Sequence, residues 1–178
     1  MKRVLWIVGG VVVVAGVILF GLNCGTDKGE VAGNRLAPDI SLPTLDGQKA
    51  ELAQLKGKVV LVNFWATWCG WCAKEIPDLV DLHARYEREG LAVLGVALDR
   101  QGASVVKPFV EKKAVNYPIL LDPEDTAWPA FALGRRAGIP TTVVIDRRGR
   151  IRQLLVGYQE RKTLESAVKA LLAERGTE

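Results

Sequence analysis

Three cysteines, one histidine and one methionine are all the sulfur and imidazole groups that 178 residues carry. A structural zinc site needs four ligands. Here Cys24, Cys69, Cys72 and His83 would all have to converge, with Cys24 at the end of an apolar run, so zinc is excluded on supply. Covalent haem attachment needs C-x-x-C-H, and Ala73 stands in the histidine's place. Three cysteines are also too few for a fold stapled by disulfides. Charge excess is equally scarce: Lys2 and Arg3 account for two of the four net positive charges. That near balance gives no case for nucleic-acid binding. No internal repeat or low-complexity tract is present.

What the chain does have, first, is "VLWIVGGVVVVAGVILFGL" at residues 4–22, with no charge in nineteen residues. At about 1.5 Å per residue a helix of this length spans roughly 28 Å, close to a bilayer's hydrocarbon thickness. The run exceeds a usual secretory h-region and no A-x-A-like site follows. It predicts an uncleaved signal anchor, with residues 1–3 cytoplasmic and residue 23 onward on the other side. Cys24 ends "FGLNC", a faint match to a lipobox that Asn23 and Gly21 do not fit. It reads as an unpaired thiol at the membrane edge. Residues 23–34 are polar and glycine-rich, a linker, and residues 35–178 make one domain.

Within that domain, Asp46-Gly47 marks an early hairpin. "KVVLVNFWA" (58–66) and "LAVLGVALD" (91–99) are unbroken apolar runs, the pattern of strands buried on both faces. A helix is predicted from Gly70 to about Glu89, with Ile76, Leu79, Val80 and His83 at helical spacing and Pro77 disturbing it. Residues 104–113 read as an amphipathic helix and 117–122 as a short strand. Residues 140–146 and 151–157 read as antiparallel strands joined through Arg148-Gly149, with the arginines of "DRRGRIR" exposed. A last helix covers 161–176. This order implies a mixed sheet covered on both faces.

The second positive feature is "FWATWCGWCAKE", residues 64–75. Cys69 follows a buried strand and opens a helix, where free N–H groups and the helix dipole favour a thiolate. Cys72, one turn on, lies within disulfide reach. On this reading Cys69 is the exposed attacking thiolate and Cys72 the shielded resolving thiol. A two-coordinate Cu(I) site remains open on ligand type, and so does simple packing of two cysteines.

"VNFWATWCGWC" resembles the active-site strand and turn of the thioredoxin superfamily. "GIPTTVVIDRRG" (138–149) resembles its cis-proline loop and following hairpin. "APDISLPTLDG" at the domain's start, Asn63, and Glu75 three residues after Cys72 are similar to the membrane-anchored TlpA/ResA-like branch. The resemblance implies a thioredoxin-like three-layer α/β/α fold with a mixed central sheet and an N-terminal β-hairpin, preceded by one transmembrane helix. It implies Cys69, Cys72 and Glu75 as the catalytic set, with Glu75 managing the Cys72 proton. Trp68, Trp71, Ile139 and a cis Pro140 would bind substrate. Phe64 and Trp65 would be core, and His83 packing or surface. Trp71 departs from the branch, which commonly has proline before the second cysteine.

The resemblance implies a thiol-disulfide oxidoreductase that reduces disulfides of exported proteins, with no cofactor beyond the Cys69–Cys72 disulfide. Its partners would be protein thiol or disulfide substrates, apocytochrome c cysteines among them, and a membrane electron donor. A disulfide oxidase or isomerase would use the same residues in the other direction.

Overall fold

Val59–Trp65 (β3) is the centre of the molecule, and all seven of its residues are buried. The structure, a computed structural model, describes residues 35–131 and 138–174. The predicted anchor at 4–22, the linker with Cys24, and the predicted helix end at 175–176 lie outside the described residues. Among the described residues no helix is long and apolar enough to cross a membrane.

The element order is β1 (Ser41–Pro43), β2 (Lys49–Glu51), β3, α1 (Gly70–Tyr86), β4 (Leu91–Ala97), α2 (Ala103–Lys112) and β5 (Ile119–Leu121). Then come α3 (Ala127–Ala130), β6 (Thr141–Ile145), β7 (Ile151–Val156) and α4 (Arg161–Ala173). The main sheet runs β5-β4-β3-β6-β7. β3 and β4 are parallel, as are β4 and β5, while β6 runs antiparallel to β3 and β7 antiparallel to β6. β1 and β2 form the predicted N-terminal hairpin, turning at Gly47 with φ 80°.

Strand periodicity sorts the two cores. Val59, Leu61 and Trp65 pack with Ile76, Leu79 and Leu82 of α1 and with Leu164, Val168 and Leu171 of α4. Val106 and Phe109 of α2 join the same cluster. Val60, Val62 and Phe64 face the other way, against Leu42, Leu52, Ala127 and Phe131. The second outer layer is therefore thin: the hairpin, a 3₁₀ turn at Leu52–Leu55 and the short α3, which the sequence pattern did not show. His83 is buried and packs beside the Tyr117 ring, 6.1 Å between centroids.

Two departures have local causes. The arginines of "DRRGRIR" are not simply solvated: Arg147 donates to the Gly57 and Glu89 carbonyls at 2.9 and 3.2 Å. Arg152 pairs with Asp146 and Glu174. This turn thus ties the lower end of the sheet to the loops before β3 and β4. Inside α1, Pro77 has no N–H to give the Ala73 carbonyl. Lys113, just past α2, donates its ammonium to that oxygen at 3.0 Å.

Candidate active site

β3 ends at Trp65, and the chain turns into α1 with Cys69 as its N-cap. The backbone of Cys69 is extended (φ −87°, ψ 105°), and its Sγ accepts the Cys72 N–H at 3.1 Å. A sulfur in the N-cap place takes one of the donors a helix start leaves free, which stabilises negative charge there. The turn is fixed from below by Asp99, at the end of β4, which accepts from the Thr67 N–H at 3.0 Å and the Thr67 hydroxyl at 2.5 Å. Asp99 is buried, and sequence reasoning did not find it. Its only signal was an acid closing a buried strand.

Cys69 and Cys72 are joined as a disulfide. Cys69 keeps 7% of its surface exposed and Cys72 only 1%. Cys69, expected to be the exposed sulfur of the pair, is thus more recessed than the sequence implied, while Cys72 is fully shielded. On the open side Trp68 and Trp71 stand 71% and 60% exposed. Trp68 borders a cleft lined by Leu98, Arg100, Pro123, Glu124 and Asp125. Trp71 leans on Tyr158, ring centroids 5.5 Å apart, and the Lys74 ammonium lies over both rings at 5.1 and 4.3 Å.

The Ile139–Pro140 peptide is cis. It brings the Ile139 carbonyl oxygen to 3.7 Å from Cys69 Sγ. Of the candidate substrate-binding residues, Ile139 thus faces Cys69, with Pro140 next to it in the chain, while Trp68 and Trp71 flank the pair in sequence and are exposed.

Glu75 lies beneath. Asn63 falls in the β3 row that faces α1, and Thr142 is its register partner on β6. Asn63 Nδ2 donates to Glu75 Oε1 at 3.0 Å and to Thr142 Oγ1 at 2.9 Å. The Gln159 N–H donates to Glu75 Oε2 at 2.7 Å. Glu75 is 1% exposed, so an exposed first-turn glutamate is ruled out. Burial pushes its carboxyl up to about 7, against the opposing hydrogen bonds from Gln159 and Asn63. A carboxyl held there exchanges protons near neutral pH. The Gln159 contribution was not legible in the sequence, because a backbone N–H carries no side-chain signal.

No group of three or more histidine, cysteine or acidic side chains gathers to hold a metal among the described residues. What the site offers instead is a disulfide pair on a helix start, a backbone carbonyl facing it, and a buried acid of tuned basicity. The sequence pattern of the AhpC/TSA family matches residues 34–154. The chain belongs to that family.

The chain's relatives carry redox names. The thiol-disulfide oxidoreductase ResA of Geobacillus kaustophilus (strain HTA426) is 33% identical over 149 residues, 84% of this chain and 83% of that protein. ResA of Bacillus anthracis is 30% identical over 172 residues, 96% of this chain and 97% of that protein. Among solved structures, a putative thiol:disulfide interchange protein DsbE from Chlorobium tepidum superposes with TM-score 0.74 at 28% identity. That match covers 81% of this chain and all of the other. A secreted thiol-disulfide isomerase from Corynebacterium glutamicum gives TM-score 0.73 at 27% identity, covering 79% and 86%. This chain is a thiol-disulfide oxidoreductase of thioredoxin fold, with Cys69 and Cys72 as its cysteine pair.

Proposed function

We propose that the protein reduces disulfides of exported proteins while anchored by residues 4–22, with its domain on the extracytoplasmic side. The observation that carries the exchange chemistry is the burial of Cys72 together with that of Glu75, whose carboxyl burial pushes up to about 7, and the direction rests on the family resemblance. Reduction needs that arrangement at its second step, when an inaccessible thiol must lose its proton.

The reduced Cys69 thiolate attacks one sulfur of the substrate disulfide, and the other leaves as a thiolate that takes a proton from water. An extended substrate segment lies along the Ile139 backbone, between Trp68 and Trp71. Glu75 then accepts the Cys72 proton. The Cys72 thiolate attacks Cys69 Sγ, closing Cys69–Cys72 and releasing the second substrate thiolate. Two electrons have passed to the substrate, and a membrane dithiol donor returns them to the pair. No cofactor other than the pair takes part. Apocytochrome c cysteines awaiting haem are the substrate that the family resemblance suggests.

The test is the reduction potential of the Cys69–Cys72 pair in the full-length protein, equilibrated against glutathione and dithiothreitol. A value well below about −200 mV fits a reductant. A value near about −120 mV makes the protein an oxidant and reverses the proposed direction.

A further inference from the structure

The turn after β7 touches three parts of the site in three consecutive residues. The Gly157 N–H, at φ 77°, donates to the Pro140 carbonyl at 2.8 Å. The Tyr158 ring packs on Trp71 under the Lys74 ammonium. The Gln159 N–H holds Glu75 Oε2 at 2.7 Å. The Gln159 side chain folds back to the Val156 and Gly157 carbonyls at 3.2 and 3.0 Å, bracing the turn. One short segment thus joins the substrate-facing loop, the substrate-facing aromatic pair and the buried acid.

The link between the last two is stiff. The Tyr158 Cα and the Gln159 N–H belong to one planar peptide unit. A displacement of the Tyr158 ring that its packing between Trp71 and Lys74 passes on to its Cα also moves the donor that Glu75 relies on. A substrate seated at Cys69 meets Trp71, which is 60% exposed, together with the ring it rests on. We propose that Gly157–Gln159 is a positioning turn through which substrate docking on Trp71 and Tyr158 loosens the Gln159 bond to Glu75, so that Cys72 gives up its proton once a mixed disulfide is in place. This rests on the reading of Glu75 as the proton acceptor for Cys72.

The chemistry runs in the useful direction. A carboxylate that loses a hydrogen bond becomes the stronger base. The proton passes from Cys72 Sγ to Glu75, and the new thiolate breaks the Cys69–substrate bond by forming Cys69–Cys72. The other groups facing Glu75 are the Asn63 amide from β3, the Thr142 hydroxyl from β6, Asp78 from α1 and the Tyr117 phenol ahead of β5. Asp78 opposes ionisation of Glu75, Asn63 and Thr142 favour it, and burial, with the Glu75 charge adding to it, holds the Tyr117 phenol above its ordinary range.

The test compares pH profiles of kcat and kcat/KM for reduction of a peptide disulfide by the full-length protein. kcat/KM reports the free enzyme and kcat the substrate-bound form. In the wild type the inflection belonging to Glu75 is expected about one pH unit higher in kcat, as for loss of one charge-assisted hydrogen bond. Tyr158→Ala is expected to close that gap and raise KM. Equal inflections in the wild type, or a gap that persists in Tyr158→Ala, overturn the coupling. Glu75→Gln must remove the inflection from both profiles. If it survives, the role of Glu75 itself fails, whatever Tyr158→Ala does.

Discussion

Replacing Glu75 by glutamine should change how stability depends on pH, by an amount the site itself sets. Burial raises the Glu75 carboxyl from 4.5 to about 7. The folded state therefore binds this proton more tightly than the unfolded chain does. Stability from this group is fullest below pH 4.5, declines as pH rises, and is lost once pH passes about 7. Two and a half pH units at about 1.4 kcal/mol each give about 3 kcal/mol across that window. The glutamine variant has no such proton. Its constant offset, from presenting an amide to Asn63 and Gln159, does not vary with pH. Urea unfolding of the oxidised full-length protein at several pH values from 4 to 9 isolates the term, since cysteines in a disulfide do not titrate. The variant should gain about 3 kcal/mol relative to wild type between the ends of the window. A difference that stays flat would mean that Glu75 is ionised with an ordinary affinity in the fold, and the account of its burial would be wrong.

Two further outcomes test the packing around the site. A Cβ at Gly95 would stand 2.6 Å from Ile119 Cδ1 and 3.0 Å from Trp65 Nε1, so Gly95→Ala should cost about 1–3 kcal/mol in thermal unfolding. No loss in Tm would show that β4 and Trp65 can part freely. Lys113→Met should cost about 1 kcal/mol by orphaning the Ala73 carbonyl, and less when Pro77→Ala supplies an N–H in its place. Equal costs in the two backgrounds would show that Lys113 does not stand in for the missing donor.

What the sequence made legible was local or periodic. Six apolar residues broken only by Asn63 announced β3, and Gly70 following a cysteine announced the start of α1, because burial on two faces and helix initiation both leave short-range patterns. The hairpin at Gly47 was legible for the same reason. The helix α3 was not: four residues around Pro129 carry no period. Nor was the grip of Asp99 on Thr67, thirty-two residues away. Glu75 could be singled out but its burial could not, since glutamates near a helix start are ordinarily solvated. What buries it is the strand row of Asn63 and Thr142 and a backbone donor from Gln159, eighty-four residues downstream. Such contacts exist only once distant strands have found their register.

The cysteine pair is separated by three residues, whereas the Ile139 carbonyl that faces Cys69 lies seventy residues further along. The disulfide chemistry is thus a short-range property, available to a few residues of chain. The backbone edge proposed to seat substrate is a long-range one, absent until β6 closes beside β3. Contacts of high sequence separation are slow to form because loop closure must come first. During folding the chain therefore holds reactive sulfur before it holds a template to select partners. Cys69 and Cys72, as near neighbours in the chain, can mask each other through that interval.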